Sequence, residues 1–563
     1  MKIKFLGAAS SVTGSCYLIT TDQRKILLDC GMFQGSDDMD EWNKEPFDFN
    51  PEELDVVLLS HAHIDHSGRL PLLVKRGFKG KIYCTDATAD LLEVMLRDSG
   101  YIQEKEVEWK NRKNQRAGKA LVEPLYTVRD AEIALSQVSP VLYDQLIELN
   151  GDVKVVFNDA GHILGSSIVE IFIKENEDYT KLVFSGDLGV KGRPILRDPT
   201  IIKKADFLIL ESTYGNRLHD PNASSIESLI QIVLKTIKRG GTVVIPSFAV
   251  GRTQELIFEF NRFYEEHSEY KAELDPVMVY VDSPMATSAT EVFRRNAQVF
   301  DEEMKAYILK GDHPLDFKNL VFTRSSDESR ALNENKEPKV IISASGMCEA
   351  GRIKHHLKHH LWNPNSSIIF VGYQAEGTLG RSISRGDKDV SIFGEKIHVE
   401  AEIYNLEGFS GHADRDGLLE WLGGFQKVPH EIFLVHGEEQ VKTEFASTIK
   451  STFGYDTTPI YGVSEYTLSK EGMHTKEEFA ESIADPEAVK EIKNKISTVH
   501  DDLETILYNT QLAVSGALSP EQVSEINNIV LQLEKHTINL GATVSIGRHR
   551  FTEAEPQESR GEQ

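Results

Sequence analysis

Only four cysteines are spread over 563 residues, Cys16, Cys30, Cys84 and Cys348, and no two form a CxxC pair. That spacing excludes a disulfide framework and a cysteine-based zinc finger, and it fits a reducing, cytoplasmic setting. Long apolar runs are also missing: none approaches the ~18 residues that span a bilayer, so no membrane partner is expected. The opening, Met1-Lys2-Ile3-Lys4-Phe5-Leu6-Gly7, enters a strand pattern at once and lacks the apolar stretch and cleavage site of a secretory leader. Positive charge is scarce, with 62 lysines and arginines against 88 aspartates and glutamates and a net charge of −26. Taken alone, that argues against a general nucleic-acid binder, which needs a basic surface. Net charge is a weak guide to a local groove, however, because bound dications cancel carboxylates where they sit. Two basic segments, residues 75–81 and 110–116, read as a solvated loop and a solvated helix face. No repeat and no RNA-binding module signature is present.

The length and an apolar fraction of 40% predict two to four globular domains. Through residues 1–212, short apolar strands alternate with glycine-containing turns. Residues 25–28 run into Asp29-Cys30-Gly31, and residues 182–184 into Ser185-Gly186-Asp187. Residues 86–96 and 102–120 read as helical. From 213 to 392 the rhythm becomes alternating helix and strand, with strands at 242–245, 277–281, 340–343 and 368–371. This predicts a parallel α/β unit with crossover helices. Strand-then-loop segments return from 393 to 463, at 396–406 and 432–435. The two flanks are therefore expected to form one domain into which the α/β unit is inserted. In 464–551, apolar residues such as Val489, Ile492, Ile496, Val499 and Leu503 recur at steps of three and four, and Ser519-Pro520-Glu521-Gln522 is a capping box. An antiparallel helical hairpin is expected there. Its acid-rich faces suit a protein contact, a homodimer or another partner, better than RNA. Residues 552–563 are expected to be disordered.

The densest chemistry is His61-Ala62-His63-Ile64-Asp65-His66, directly after the apolar run 56–59. Imidazole nitrogen and carboxylate oxygen are the donors that suit zinc and its neighbours. Further donors also follow predicted strands: His162 in Gly161-His162-Ile163-Leu164-Gly165, Asp187, Glu211 in Glu211-Ser212-Thr213-Tyr214-Gly215, His412 in Ser410-Gly411-His412-Ala413-Asp414, and His436 in His436-Gly437-Glu438. Five histidines and two aspartates are enough for two zinc ions.

Over residues 1–460 these motifs resemble the metallo-β-lactamase-fold hydrolases of the β-CASP branch, which contains RNA-processing endonucleases and ribonuclease J. The likeness includes Phe5-Leu6-Gly7-Ala8-Ala9, Gly14-Ser15-Cys16 and Leu27-Leu28-Asp29-Cys30-Gly31, then His61 through His66, His162, Asp187 and the three branch motifs at Glu211, His412 and His436. The resemblance implies an αββα sandwich, with 213–392 as an inserted parallel α/β cap. It implies that His61, His63, His162 and Asp187 hold one zinc and that Asp65, His66, Asp187 and His436 hold the second. It further implies that Asp65 orients the attacking water, that His412 is the general acid and that Glu211 keeps it protonated. Histidine in the third motif goes with RNA, here single-stranded, as the substrate.

Substrate contacts are expected from two loops that lead into helices and suit phosphate. These are Ser247 and Arg252 in Ser247-Phe248-Ala249-Val250-Gly251-Arg252, and Ser345 and Gly346 in Ser343-Ala344-Ser345-Gly346-Met347. Arg381 and Ser410 complete the candidate set. His355 to His360 reads as a surface helix, since the zinc set is already full. A hydrolase of a small ester, thioester or lactam would use the same zinc donors, and a DNA nuclease is a further alternative. Endonucleolytic and 5′→3′ exonucleolytic action both stay open.

Overall fold

A computed structural model describes residues 1–474 apart from 36, 150, 176–177, 220–225, 310–313, 373, 375–376, 407–410 and 470–471. Met1–Glu477 is one compact unit and Glu478–Gln563 a second, and all described residues belong to the first. The expected helical hairpin and the tail at 552–563 lie outside the described residues, as does Ser410.

Two sheets carry the metal-ligand candidates. In the first, eight strands run in the order Gly472–His474, Ser464–Ser469, Lys2–Gly7, Cys16–Thr20, Lys25–Leu28, Val56–Leu58, Lys81–Thr85, Val138–Val141. In the second, seven run in the order Thr458–Pro459, Glu431–Val435, Phe207–Glu211, Asp178–Phe184, Ser167–Glu175, Val153–Asp159, Ile147–Leu149. Phe5, Tyr17 and Leu28 from one sheet meet Phe157, Phe184 and Phe433 from the other in a single buried core. Helices cover both outer faces. Leu91 and Leu92 of helix Asp86–Arg116 pack with Leu27 and Val57, while Trp421, Phe445 and Ile449 pack with Leu208 and Leu210. The result is the expected αββα sandwich.

The inserted unit is a six-stranded parallel sheet in the order Leu320–Phe322, Val279–Val281, Val340–Ser343, Val243–Pro246, Ser367–Phe370, Glu402–Asn405. Its strands are apolar on both faces because helices flank both sides. The chain leaves the second sheet after Phe207–Glu211 and rejoins it at Glu431–Val435, which pairs with that same strand in parallel so that Glu211 lies opposite Val435. Ligand candidates far apart in sequence thereby emerge at neighbouring strand ends.

Three sequence expectations change and a fourth is refined. Residues 396–406 do not form one strand. Glu395–His398 closes a small hairpin with Asp389–Ile392, and Glu402–Asn405 is the edge of the cap sheet, so the cap reaches past 392. The segment from 464 does not begin as helix. Ser464–Ser469 joins the first sheet beside Lys2–Gly7, with Tyr466 and Leu468 alternating into the core. The helical stretches at 86–96 and 102–120 are one helix, Asp86–Arg116; Gly100 is a close-packing point, since a Cβ there would lie 2.9 Å from the Val128 nitrogen. His355 to His360 lies on a surface helix with His355 and His359 exposed, but its inner face also carries histidines. His356 is fully buried against Asp282, and His360 is also buried, because the helix seals the cap sheet along that face.

Candidate metal centre

Val56–Leu58 ends at Leu59, and the chain then turns through Ser60-His61-Ala62-His63 into the short helix Ile64–Ser67. The turn is clamped from behind. Ser15 N donates to Asp65 O, Cys30 N to His66 O and Met32 N to Ile64 O, at 2.8, 2.8 and 2.9 Å. The contact at Gly31 is so close that a Cβ would fall 1.6 Å from the Asp65 carbonyl oxygen, so only glycine fits.

Against this turn stand the carboxyl ends of three adjacent strands of the second sheet, carrying Asp187, Glu211 and His436, with His162 from the loop after Val153–Asp159. Two donor groups result: His61, His63, His162 and Asp187 converge on one point, and Asp65, His66 and His436 on another. His63 Nδ1 lies 3.1 Å from His61 Nε2 and 3.2 Å from His162 Nε2, and His66 Nε2 lies 3.2 Å from His436 Nε2. Zinc–nitrogen bonds of ~2.0–2.1 Å in a tetrahedron give an edge of about 3.3 Å, so these spacings are those of donors facing a common cation. Asp187 lies between the groups, with Oδ2 3.5 Å from His61 Nε2, 3.6 Å from His162 Nε2 and 3.3 Å from His66 Nε2. Its Oδ1 is buried and accepts no hydrogen bond. A buried carboxylate oxygen left in that condition calls for a cation.

The electrostatics agree. Burial holds His61 and His162 well below the ordinary imidazole range and pulls His63 down to about 4, so all three are neutral at pH 7, the form in which imidazole binds a metal. Burial opposes ionisation of Asp187, yet the imidazoles of His436, His66 and His412 outweigh it and keep the carboxylate ionised. Ring orientation is set from outside the cluster. His162 Nδ1 donates to Gly411 O at 2.9 Å, and His436 Nδ1 meets Thr213 Oγ1 at 3.0 Å. His66 Nδ1 meets Asp29 Oδ2 at 2.6 Å, which turns its Nε2 to the centre. Asp29 also accepts from Ser60 N and Ser60 Oγ, both at 2.8 Å. Asp29 and His436 are both held at positive φ, 55° and 53°, a strained backbone that the surrounding contacts must impose.

His412 stands beside the cluster with Nδ1 3.3 Å from Glu211 Oε1 and 3.9 Å from Asp187 Oδ2. Burial works against its charge, but Glu211 and Asp187 outweigh that and raise it to about 9, so the ring is an imidazolium at neutral pH. Glu211 is fixed by Leu188 N at 2.7 Å and Thr213 N at 3.3 Å. The backbone of His412 is held in turn, its carbonyl accepting from His219 Nε2 at 2.9 Å.

Three family models match the chain in succession: the metallo-beta-lactamase superfamily at residues 11–247, the Beta-Casp domain at 253–383 and the Zn-dependent metallo-hydrolase RNA specificity domain at 396–459. Ribonuclease TTHA0252 of Thermus thermophilus is 40% identical over 440 residues, covering 78% of this chain and 94% of its own. The chain belongs to the metallo-β-lactamase-fold β-CASP ribonuclease family. Archaeal relatives match over a similar span. Transcription termination factor FttA of Methanocaldococcus jannaschii is 33% identical over 465 residues, 80% of this chain and 69% of the factor. The protein of that name from Thermococcus kodakarensis is 32% identical over 478 residues, 81% and 70% of the two chains.

As a β-CASP hydrolase, the protein places its cap residues at the carboxyl ends of the cap strands, where open parallel sheets bind ligands. Ser247 is buried and its hydroxyl serves the turn, donating to Phe248 O at 3.3 Å and accepting from Thr253 Oγ1 at 3.1 Å. Arg252 is buried too. Burial lowers it to about 9, and it pairs with Glu255, which also takes Arg193 through Oε1 at 3.1 Å and Oε2 at 2.5 Å. Two guanidiniums thus share one carboxylate at the junction of cap and sandwich. Arg193 also borders the centre, since a Cβ on Gly411 would lie 3.3 Å from its Nη1. Ser345 is half-buried with Oγ on Ala350 O at 3.3 Å. Gly346 lies under the Phe248 ring, and Arg381 is half-buried on helix Leu379–Ser384. Among the described residues no helix is long and apolar enough to cross a membrane. Sequence reasoning assigned no role to Asp29, Thr213, Arg193 or Phe248. Asp29 alone left a signal, as an acid directly after an apolar strand.

Proposed function

We propose that this protein is a two-zinc ribonuclease that hydrolyses phosphodiester bonds of single-stranded RNA in the cytoplasm. His61, His63, His162 and Asp187 would hold one ion, and Asp65, His66, His436 and the shared Asp187 the other. When bound, the pair would lower the pKa of a water toward neutrality and offset charge growing on the scissile phosphate. Asp65, with its side chain partly open to solvent, accepts a hydrogen bond from the attacking water and aims it. His412 turns Nδ1 to Glu211, which leaves Nε2 to give a proton to the departing sugar oxygen. Glu211 keeps that proton in place, and the guanidiniums of Arg193 and Arg252 face the polyanion from the junction of cap and sandwich.

The observation that carries this reading is the Glu211–His412 pair beside the double donor cluster. A thiolate leaves a thioester without a proton and has no need of an imidazolium there, whereas a sugar oxygen leaving a phosphate needs its proton. The C-terminal region is proposed to join two copies or to bind another protein, which light scattering on the full chain checks. The deciding experiment uses labelled single-stranded RNA, a matched DNA strand and a circular RNA with the zinc-loaded protein. RNA cleavage, including the circle, is expected, with His412→Ala slower by about 10²–10⁴-fold and zinc content unchanged. A mutant as fast as the parent sinks the general-acid role, and DNA cleaved in preference to RNA sinks the substrate.

A further inference from the structure

Helix Asp86–Arg116 is 31 residues long, about 45 Å at 1.5 Å per residue, and its buried residues end at Gly100. The later turns run on into solvent, and their faces differ. Glu104, Asn111 and Asn114 are half-buried because the chain folds back along them. Asn111 exchanges two 2.8 Å hydrogen bonds with the Val122 backbone, Asn114 Nδ2 donates to Ala120 O at 2.9 Å, and Glu104 accepts from Val128 N at 3.1 Å. The other side carries Tyr101, Lys105, Trp109, Arg112, Lys113 and Arg116 within about 120° of arc at 100° per residue. All six are exposed, Trp109 by 61% and Tyr101 by 52%. Cations lie over rings one turn away: Lys105 Nζ is 5.7 Å from the Tyr101 centroid and Lys113 Nζ 3.4 Å from that of Trp109. Between Trp109 and Val122 there are five lysines and arginines and no acid, in a chain of net charge −26. Lys105 and Arg112 share Glu108, but Arg116 and Lys110 form no ion pair among the described residues.

We propose that this stripe is a second RNA contact, a stacking and phosphate-binding rail that holds single-stranded RNA outside the catalytic cleft. The inference rests on the ribonuclease reading above and deepens it. Aromatic faces spaced by cations along an exposed line are what a single strand offers its bases and phosphates to. An interface with a second copy would instead be depleted of lysine at its centre. The rail is tied to the active site through the helix N-terminus, where Thr85 Oγ1 and Thr88 Oγ1 both donate to Gly165 O, at 2.6 and 2.8 Å, three residues past His162. From Thr88 to Trp109 the axis runs about 30 Å, so a long RNA reaches cleft and rail together and a short one fills only the cleft.

The test compares kcat/KM of the full-length, zinc-loaded protein on unstructured RNAs of about 6 and about 30 nucleotides. For W109A/R112A/K113A/R116A, kcat/KM on the long RNA is expected to fall about 10–100-fold, through KM. The short RNA should change less than about 2-fold, and the salt slope on the long RNA should flatten by about 2. W109A alone should cost the long RNA about 5-fold or more through lost stacking. Equal effects on both lengths, or none, overturn the rail. So does a variant that loses a dimer in light scattering while long-RNA kcat/KM holds, which would assign the stripe to a second copy. If the parent cleaves neither length, the ribonuclease reading itself fails. Parental cleavage with an unaffected variant sinks the rail alone.

Discussion

Asp187 and His412 show how single side chains take their chemistry from neighbours far off in sequence. A histidine in water sits near 6.5, and the carboxylates of Glu211, Asp187 and Asp65 bring His412 to about 9. The acid form is required to donate, so activity is lost as pH rises through the His412 pKa. Glu211→Gln removes the strongest of these carboxylates, and the alkaline limb of the pH–rate profile is expected to move to lower pH. An alkaline limb that does not move refutes the pairing. Asp29 acts one bond further out. Asp29→Ala frees His66 to rotate, and zinc affinity is expected to fall about 10–100-fold, read by competition with a chromophoric chelator. Unchanged affinity would mean that the ring is held without it. The presence of His66 as a ligand candidate was legible in the sequence, because ligand type is a property of the side chain. Its orientation was not, because residues 29 and 66 meet only when Lys25–Leu28 and Val56–Leu58 pair.

At the scale of elements, apolar periodicity predicted nearly every strand that ends in a donor, and for a physical reason: a buried strand must be apolar, so the first polar residue after it marks the rim. The same rule misplaced Glu402–Asn405, since alternation does not say which sheet a strand joins, and Ser464–Ser469 was assigned to the helical C-terminal region rather than to the first sheet. Sequence reasoning put the helix Ile353–His360 at the surface, where His355 and His359 are indeed exposed, but did not show that His356 donates from Nε2 to Asp282 at 2.6 Å in the interior of the cap. Asp282 is the hub there. It accepts from Ser329 Oγ at 2.5 Å, Arg352 Nη1 at 2.6 Å and Thr323 Oγ1 as well, and these partners keep its carboxyl well below the usual range despite burial. Asp282→Ala would leave buried donors without an acceptor, so the cap is expected to lose about 3–5 kcal/mol, measured by denaturant unfolding followed at a cap fluorophore. A loss under about 1 kcal/mol would show that the network relaxes.

Across the whole molecule, the donor cluster joins loops from residue 61 to residue 436, so bound metal ties the first sheet to the second. Chelation is expected to lower the midpoint of thermal unfolding and re-addition of zinc to restore it, since an ion at ~1,000 times its Kd adds about 4 kcal/mol to the folded state. A midpoint indifferent to chelator would refute metal binding at this centre.

By itself the sequence determined which donors exist, their order along the chain and that each follows a buried strand, because those are local consequences of side-chain chemistry and apolar patterning. It also carried the aromatic and basic residues of the long helix, though not their arrangement on one outward face. Only the tertiary structure decided which donors share a point in space, that Asp187 lies between two groups, that His412 keeps its proton and that His356 is interior. Those properties depend on distances and burial. Both arise when the insertion returns Glu431–Val435 to its place beside Phe207–Glu211, a pairing across some two hundred residues that no local pattern encodes.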